Sequence, residues 1–136
     1  MENKKLVKII KIFANWTKAK IKIHLVGKNI YPKQKEIWWA SLGQNVGVEI
    51  NGKNDSFERP VLVIKVFNNQ FILIVPISSK LKTGKYYYKF INNNGEENVV
   101  VLSQIRSISS KRLVRKVSEM SAKEFSEIKR KIIEII

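Results

Sequence analysis

Arg59 stands directly before Pro60, which opens the apolar run Val61-Leu62-Val63-Ile64, and Ser78 closes the next apolar run nineteen residues later, in Val75-Pro76-Ile77-Ser78-Ser79. If the two runs pair as a hairpin, a fixed cation and a hydroxyl meet at one edge of a small sheet. A guanidinium stays protonated and presents a planar fork that matches phosphate oxygens, and a hydroxyl can donate one more hydrogen bond to the same group. The pair therefore suits phosphate chemistry that needs neither a metal nor an imidazole. The rest of the chain agrees: it has no cysteine and a single histidine, His24, which leaves no thiolate site and makes a zinc centre a poor fit.

Several elements must position these residues. Residues 4–18 are predicted to form a helix, with Leu6, Ile9, Ile10, Phe13 and Trp16 on one stripe and Lys4, Lys8, Lys11, Asn15 and Lys18 opposite. The stripe is expected to pack on the body of the protein. Ile21, Ile23 and Leu25 alternate with polar residues, which permits a short strand or an extended link. Glu36–Leu42 reads as the first core strand, followed by a long polar loop from Gly43 to Glu58. Val61–Phe67 and Gln70–Ser78 read as a hairpin turning at Asn68-Asn69, and their nearly unbroken apolar character predicts burial on both faces. A basic loop, Lys80–Lys85, precedes a strand over Tyr86–Phe90. Val99–Ile108 reads as the longest strand, with Gln104 and Arg106 on one face. Ser121 and Glu124 form a capping box that opens a C-terminal helix, with Phe125, Ile128, Ile132 and Ile135 turned inward and Met120 stapled onto Phe125. Short strands between loop signals suggest a mainly β protein with α-helices (α+β): a small, strongly curved antiparallel barrel with a helix at each end of the chain.

Length and charge bound the partners. At 136 residues the chain suffices for one core, and it divides into a basic N-terminal helical extension (1–35) and a barrel domain with its C-terminal helix (36–136). The net charge is +15; residues 1–35 carry ten lysines and one acid, +9, and residues 36–136 carry sixteen basic and ten acidic residues, +6. A field of this sign favours polyanions, although lysine-rich composition by itself also reads as codon bias. Lys8 and Lys11 interrupt the only stretch that resembles a signal peptide, and no run approaches the roughly 18 apolar residues of a membrane span. The chain is expected to be cytoplasmic and not membrane-bound.

Glu36-Ile37-Trp38-Trp39-Ala40-Ser41-Leu42-Gly43, Gly47-Val48-Glu49, Arg59-Pro60-Val61-Leu62-Val63, Pro76-Ile77-Ser78, Leu102-Ser103-Gln104-Ile105-Arg106 and Lys111-Arg112-Leu113 occur in this order. Together, over roughly residues 36–130, they resemble the MazF/PemK-like toxins of type II toxin–antitoxin systems. The resemblance implies an SH3-like barrel that forms a homodimer. It also implies a metal-independent, sequence-selective endoribonuclease that needs no cofactor. Its substrate would be single-stranded RNA, cut to 2′,3′-cyclic phosphate and 5′-hydroxyl ends, and a cognate acidic antitoxin would neutralise it. The family's catalytic arginine and threonine fall at Arg59 and Ser78. Serine for threonine is a departure that keeps the hydroxyl with a less restrained χ1. Glu49 matches an acidic residue of the family's first long loop and is the candidate proton acceptor. Lys53, Ser79, Lys80, Lys82, Lys85, Gln104 and Arg106 are the candidate RNA contacts.

Each of these residues has an ordinary structural reading as well. Arg59 could be a strand-edge cation, Ser78 a polar strand end and Glu49 a solvated loop acid, while Gln104 and Arg106 could simply brace the sheet. Of Tyr86, Tyr87 and Tyr88, two are expected to be structural and one available for base stacking. Non-catalytic readings on the same fold also stand, a topoisomerase-poisoning toxin like CcdB or an RNA-binding module. A basic amphipathic helix can also lie on an anionic membrane.

Overall fold

The computed structural model describes residues 2–136. Helix α1 (Glu2–Val26) leads to strand β1 (Glu36–Ser41), then β2 (Glu58–Asn68), β3 (Phe71–Ser78), β4 (Tyr87–Ile91), β5 (Glu97–Val101), β6 (Arg106–Ser109), β7 (Leu113–Glu119) and helix α2 (Ala122–Ile135). The strands run in the order β4-β5-β3-β2-β1-β7, every pairing antiparallel, with β6 also pairing β3. The sheet does not close on itself, since no pairing joins β4 to β7 among the described residues. It is therefore a strongly curved open sheet more than a closed barrel.

β2 over residues 61–64 and β3 over residues 72–77 are withdrawn from solvent on both faces, as their apolar runs require, whereas the hairpin end at Phe67 and Phe71 is exposed. Leu62, Ile64, Val75 and Ile77 join Phe125, Ile128 and Ile132 of α2 in one core. Val61, Val63, Ile72 and Ile74 face the other way, into a second core with Ala40, Leu42, Ile108 and Leu113. The two faces follow from the period-2 alternation of side chains along a strand. Helix α2 starts where its cap demands: Ser121 Oγ accepts from the Glu124 N–H at 3.2 Å and donates to the Glu124 carboxylate. Met120 and Phe125 lie in the same core.

Four expectations are corrected. The Val99–Ile108 strand is broken in two by a 3-10 turn at Leu102–Gln104, because β5 pairs the end of β3 and β4 whereas β6 pairs the start of β3. Gln104 consequently leaves the strand and does not share a strand face with Arg106. Strand β7, adjacent to β1, lies in a stretch whose polar exposed positions hid it. The β2–β3 turn sits at Asn69-Gln70, with Asn68 paired to Phe71. Finally, α1 runs through Ile21–Leu25 and buries only Trp16 of its expected stripe.

The reason lies in which face of α1 meets the body. The residues withdrawn from solvent are Ile12, Trp16, Ala19 and Ile23, spaced 4, 3 and 4 apart along one seam. Leu6, Ile9, Ile10 and Phe13 lie further round the helix and remain exposed. A 25-residue helix is about 37 Å long, and the body engages it only from its middle onward. The C-terminal end of α1 is fixed by Lys111 Nζ, which donates to the His24 carbonyl at 3.1 Å.

Candidate functional site

Arg59 sits at the start of β2, opposite Ala40 of β1, and is 9% exposed. Its Nε donates to the Asn51 carbonyl at 2.6 Å and its Nη1 to the Ile77 carbonyl at 3.2 Å. No carboxylate touches it among the described residues, and its outer nitrogen, Nη2, makes no hydrogen bond to protein. Burial pushes the Arg59 guanidinium below the ordinary arginine range, though arginine in proteins keeps its proton at neutral pH. The neighbouring acid, Glu58, is occupied elsewhere, by Arg115 at 3.3 Å.

A cavity of about 240 Å³ joins Arg59 to Ser78. Lys53, Lys80, Lys82, Tyr87 and Gln104 also line it, so it holds four cations and no carboxylate among the described residues. Such a lining concentrates positive potential in a low-dielectric cleft and favours a phosphodiester over a neutral ligand. The Ser78 hydroxyl accepts from the Lys80 N–H at 3.1 Å, which leaves its own proton to donate. Lys82 Nζ stands 6.0 Å from the Tyr87 ring centroid.

The other predicted residues are distributed unevenly. Glu49 is exposed, accepts from the Val46 N–H at 3.0 Å and lines a neighbouring cavity together with Arg106. Val48, Ile50 and Gln104 wall both cavities. Glu49 and Arg106 thus lie beside the Arg59–Ser78 cleft and not in it. Gln104 is a brace as well as a lining residue: its Oε1 accepts from the Ile50 N–H at 2.6 Å and its Nε2 donates to the Val48 carbonyl at 3.0 Å. Lys53 lines the cleft and also a second cavity, where Ser79 lies. Lys85 lines neither; its Nζ sits 5.1 Å from the exposed Tyr86 ring. Of the three tyrosines, Tyr88 is structural, donating its hydroxyl to Glu127 at 2.5 Å, and Tyr87 alone lines the cleft.

The β1–β2 loop is held by contacts that no motif in the sequence marks. Trp16 of α1 packs on Phe57 with ring centroids 5.3 Å apart. Phe57 has φ +55°, costly for a bulky residue. Its carbonyl accepts from both Leu42 N–H and Gly43 N–H. Gly43 must be glycine: its φ is +88°, and a Cβ would collide with the Trp16 ring. Arg112 also lies over Trp16, its guanidinium carbon 5.6 Å from the ring centroid, and donates to the Ser41 carbonyl at 3.2 Å. Burial, and then nearby Arg106, push its guanidinium below the ordinary range. The loop clamped at these ends carries Asn51, the partner of Arg59.

Against known proteins, residues 33–136 match the family model described as PemK-like, MazF-like toxin of type II toxin-antitoxin system. The chain belongs to this toxin family. No curated protein matches it. Among solved structures it is similar to MazF from Deinococcus radiodurans (TM-score 0.62, 19% identity, covering 78% of this chain and 96% of the other). It is also similar to the Mycobacterium tuberculosis toxin MazF-mt6 (TM-score 0.57, 16%, 73% and 93%). A third is a mycobacterial endoribonuclease solved in complex with its cognate antitoxin (TM-score 0.58, 14%, 76% and 92%). At these identities the likeness is one of fold. The family match begins at residue 33, so α1 lies outside it.

Proposed function

We propose that this PemK/MazF-like chain is a metal-independent endoribonuclease toxin that cuts single-stranded RNA and is neutralised by an acidic antitoxin. The observation that carries the reading is the cleft in which a buried guanidinium with an uncommitted Nη2 and the Ser78 hydroxyl line one positively charged cavity. Unpaired RNA presents its backbone and bases to such a cleft in a way that duplex RNA does not. In the reaction the RNA's 2′-oxygen attacks the adjacent phosphorus, the P–O5′ bond breaks, and the products are a 2′,3′-cyclic phosphate and a 5′-hydroxyl. The 2′-hydroxyl gives up a proton and the departing O5′ gains one, so charge and atoms balance.

Arg59 stabilises the extra negative charge on the pentacoordinate phosphorus, and its bonds to Asn51 and Ile77 hold the fork fixed while that charge develops. Ser78 donates to a non-bridging oxygen. Glu49 accepts the 2′-proton. Because Glu49 lies in the adjoining cavity, this role requires the loop at Gly47 to carry it over the Val48–Ile50 wall when RNA binds. The same basic cleft accepts the acidic antitoxin for the Coulombic reason that it accepts RNA, and the toxin acts as a homodimer in the cytoplasm.

The decisive experiment incubates purified protein with single-stranded RNA in EDTA and scores new 5′-hydroxyl ends. Arg59→Ala should lower the rate by on the order of 10²–10³-fold. Cleavage that continues undiminished in that variant removes Arg59 from the mechanism. RNA binding without new ends would favour a non-catalytic toxin on this fold.

A further inference from the structure

A second cavity, of about 270 Å³, lies beside the cleft and shares Arg59 and Lys53 with it. Its character differs. Trp39, Pro60, Ile77 and Phe90 give it an apolar floor, and the β4–β5 turn supplies Asn93 and Asn94. Glu58 also lines it, but that carboxylate is neutralised by Arg115, whose guanidinium carbon stands 5.0 Å from the Trp39 ring centroid.

The turn treats its amides in two ways. Asn92 and Asn98 are spent on structure. Asn92 Nδ2 donates to Asn98 Oδ1 at 2.9 Å, Asn92 Oδ1 accepts from the Asn94 and Glu96 N–H groups, and Asn98 Nδ2 donates to the Glu97 carbonyl. The side-chain amides of Asn93 and Asn94 make no hydrogen bond among the described residues. A turn fastened by Asn92 and Asn98 thus brings two uncommitted amides into the lining of an aromatic cavity that also takes in the guanidinium assigned to the phosphate.

We propose that this cavity receives a single unpaired nucleobase, the one attached next to the phosphate held at Arg59, and so sets part of the cleavage sequence. The inference rests on the nuclease reading and deepens it. The chemistry matches a base on each count. A flat π-system lies against the Trp39 side of the apolar floor, and each amide offers a donor and an acceptor to a base edge. The shared Arg59 and Lys53 place the adjoining phosphate. A phosphate alone has no use for the apolar floor, and an aliphatic ligand has none for the two amides.

The test has two arms. In the first, wild-type protein and the double variant Asn93→Ala/Asn94→Ala cut a random-sequence RNA pool, and the new 5′ ends are sequenced. These asparagines are exposed turn residues whose side chains support nothing in the fold. The expected result is a base preference at one position next to the cut that falls by roughly tenfold in the variant, with Trp39→Ala broadening the same position and Trp39→Phe restoring it. A wild-type preference that survives at every position in the double variant overturns the proposal. The second arm measures binding of short oligoribonucleotides made uncleavable by a 2′-deoxy sugar and differing at one base. Base-dependent affinity that disappears in the variant supports the cavity even if wild type cuts nothing, an outcome that would sink only the nuclease reading. Affinity indifferent to both base and variant overturns the cavity proposal whatever the cleavage result.

Discussion

Arg59 is committed to two carbonyls and still lines an open cleft, and this division of its donors explains why lysine would be a poor substitute. A lysine ammonium is a point charge without the fork that fixes one side while the other reaches the ligand. Ser78 and Glu49 stand in different positions. Ser78 shares the cleft with Arg59, whereas Glu49 is held by the Val46 N–H in the next cavity. Glu49→Gln is expected to lower single-turnover cleavage by on the order of 10²-fold, the range of a missing general base, with little effect on binding of an uncleavable RNA. An unchanged rate would mean that the 2′-proton leaves by another route.

Among the elements, α1 and the β1–β2 loop are joined through Trp16. With 6% exposure, and packed against Phe57, Gly43 and Arg112, this side chain closes both ends of the loop that supports Arg59. Trp16→Ala should cost about 3 kcal/mol or more of stability, seen as a lowered melting temperature or denaturant midpoint. A variant as stable as wild type would show that α1 is merely tethered. Strand β1 has its own anchor in Glu36. Burial opposes ionisation of this carboxyl, but hydrogen bonds from the Lys33 N–H, the Trp38 indole and Lys116 outweigh it and hold the group below its usual value of 4.5. A carboxyl depressed in the folded state stabilises above its unfolded pKa, and the stabilisation drains away as pH falls through the folded value. Glu36→Gln should therefore be less stable than wild type at pH 7, and the gap should narrow below about pH 4. A gap that stays constant from pH 7 to pH 3 would refute the linkage.

For the molecule as a whole, the dominant quantity is its +15 charge, of which α1 carries seven lysines against one acid. Cations that neutralise RNA phosphates release counterions, so affinity falls steeply with salt. Replacing Lys4, Lys8 and Lys11 by Gln leaves the Trp16 seam intact. If α1 reaches the strand, this should flatten the slope of log affinity against log salt by about 0.7 for each phosphate that the variant no longer neutralises. An identical slope would confine RNA to the cleft. The exposed Leu6, Ile9, Ile10 and Phe13 belong to this scale too, because α1 extends past the body that could have covered them. None of the described helices is long and apolar enough to cross a membrane.

Much of this protein was legible in its linear order. The apolar runs of β2 and β3 predicted strands buried on both faces, since an alternating backbone cannot hide a continuous run in any other way. Ser121 and Glu124 marked the start of α2, because a cap acts within three residues. Arg59 before Pro60 and Ser78 at a strand end stood out as a pair, and the fold brings both to one cleft. Meetings between residues distant in the chain decided the rest. The choice of two partners by β3 broke Val99–Ile108 into β5 and β6, and no local periodicity encodes a partner. Which stripe of α1 is buried depended on where Gly43 and Phe57 stood to receive Trp16. Whether Glu49 entered the cleft depended on Gln104 bracing the loop from fifty-four residues away. Local preference is written in neighbours, whereas a cavity is made by residues that meet only when the chain has folded.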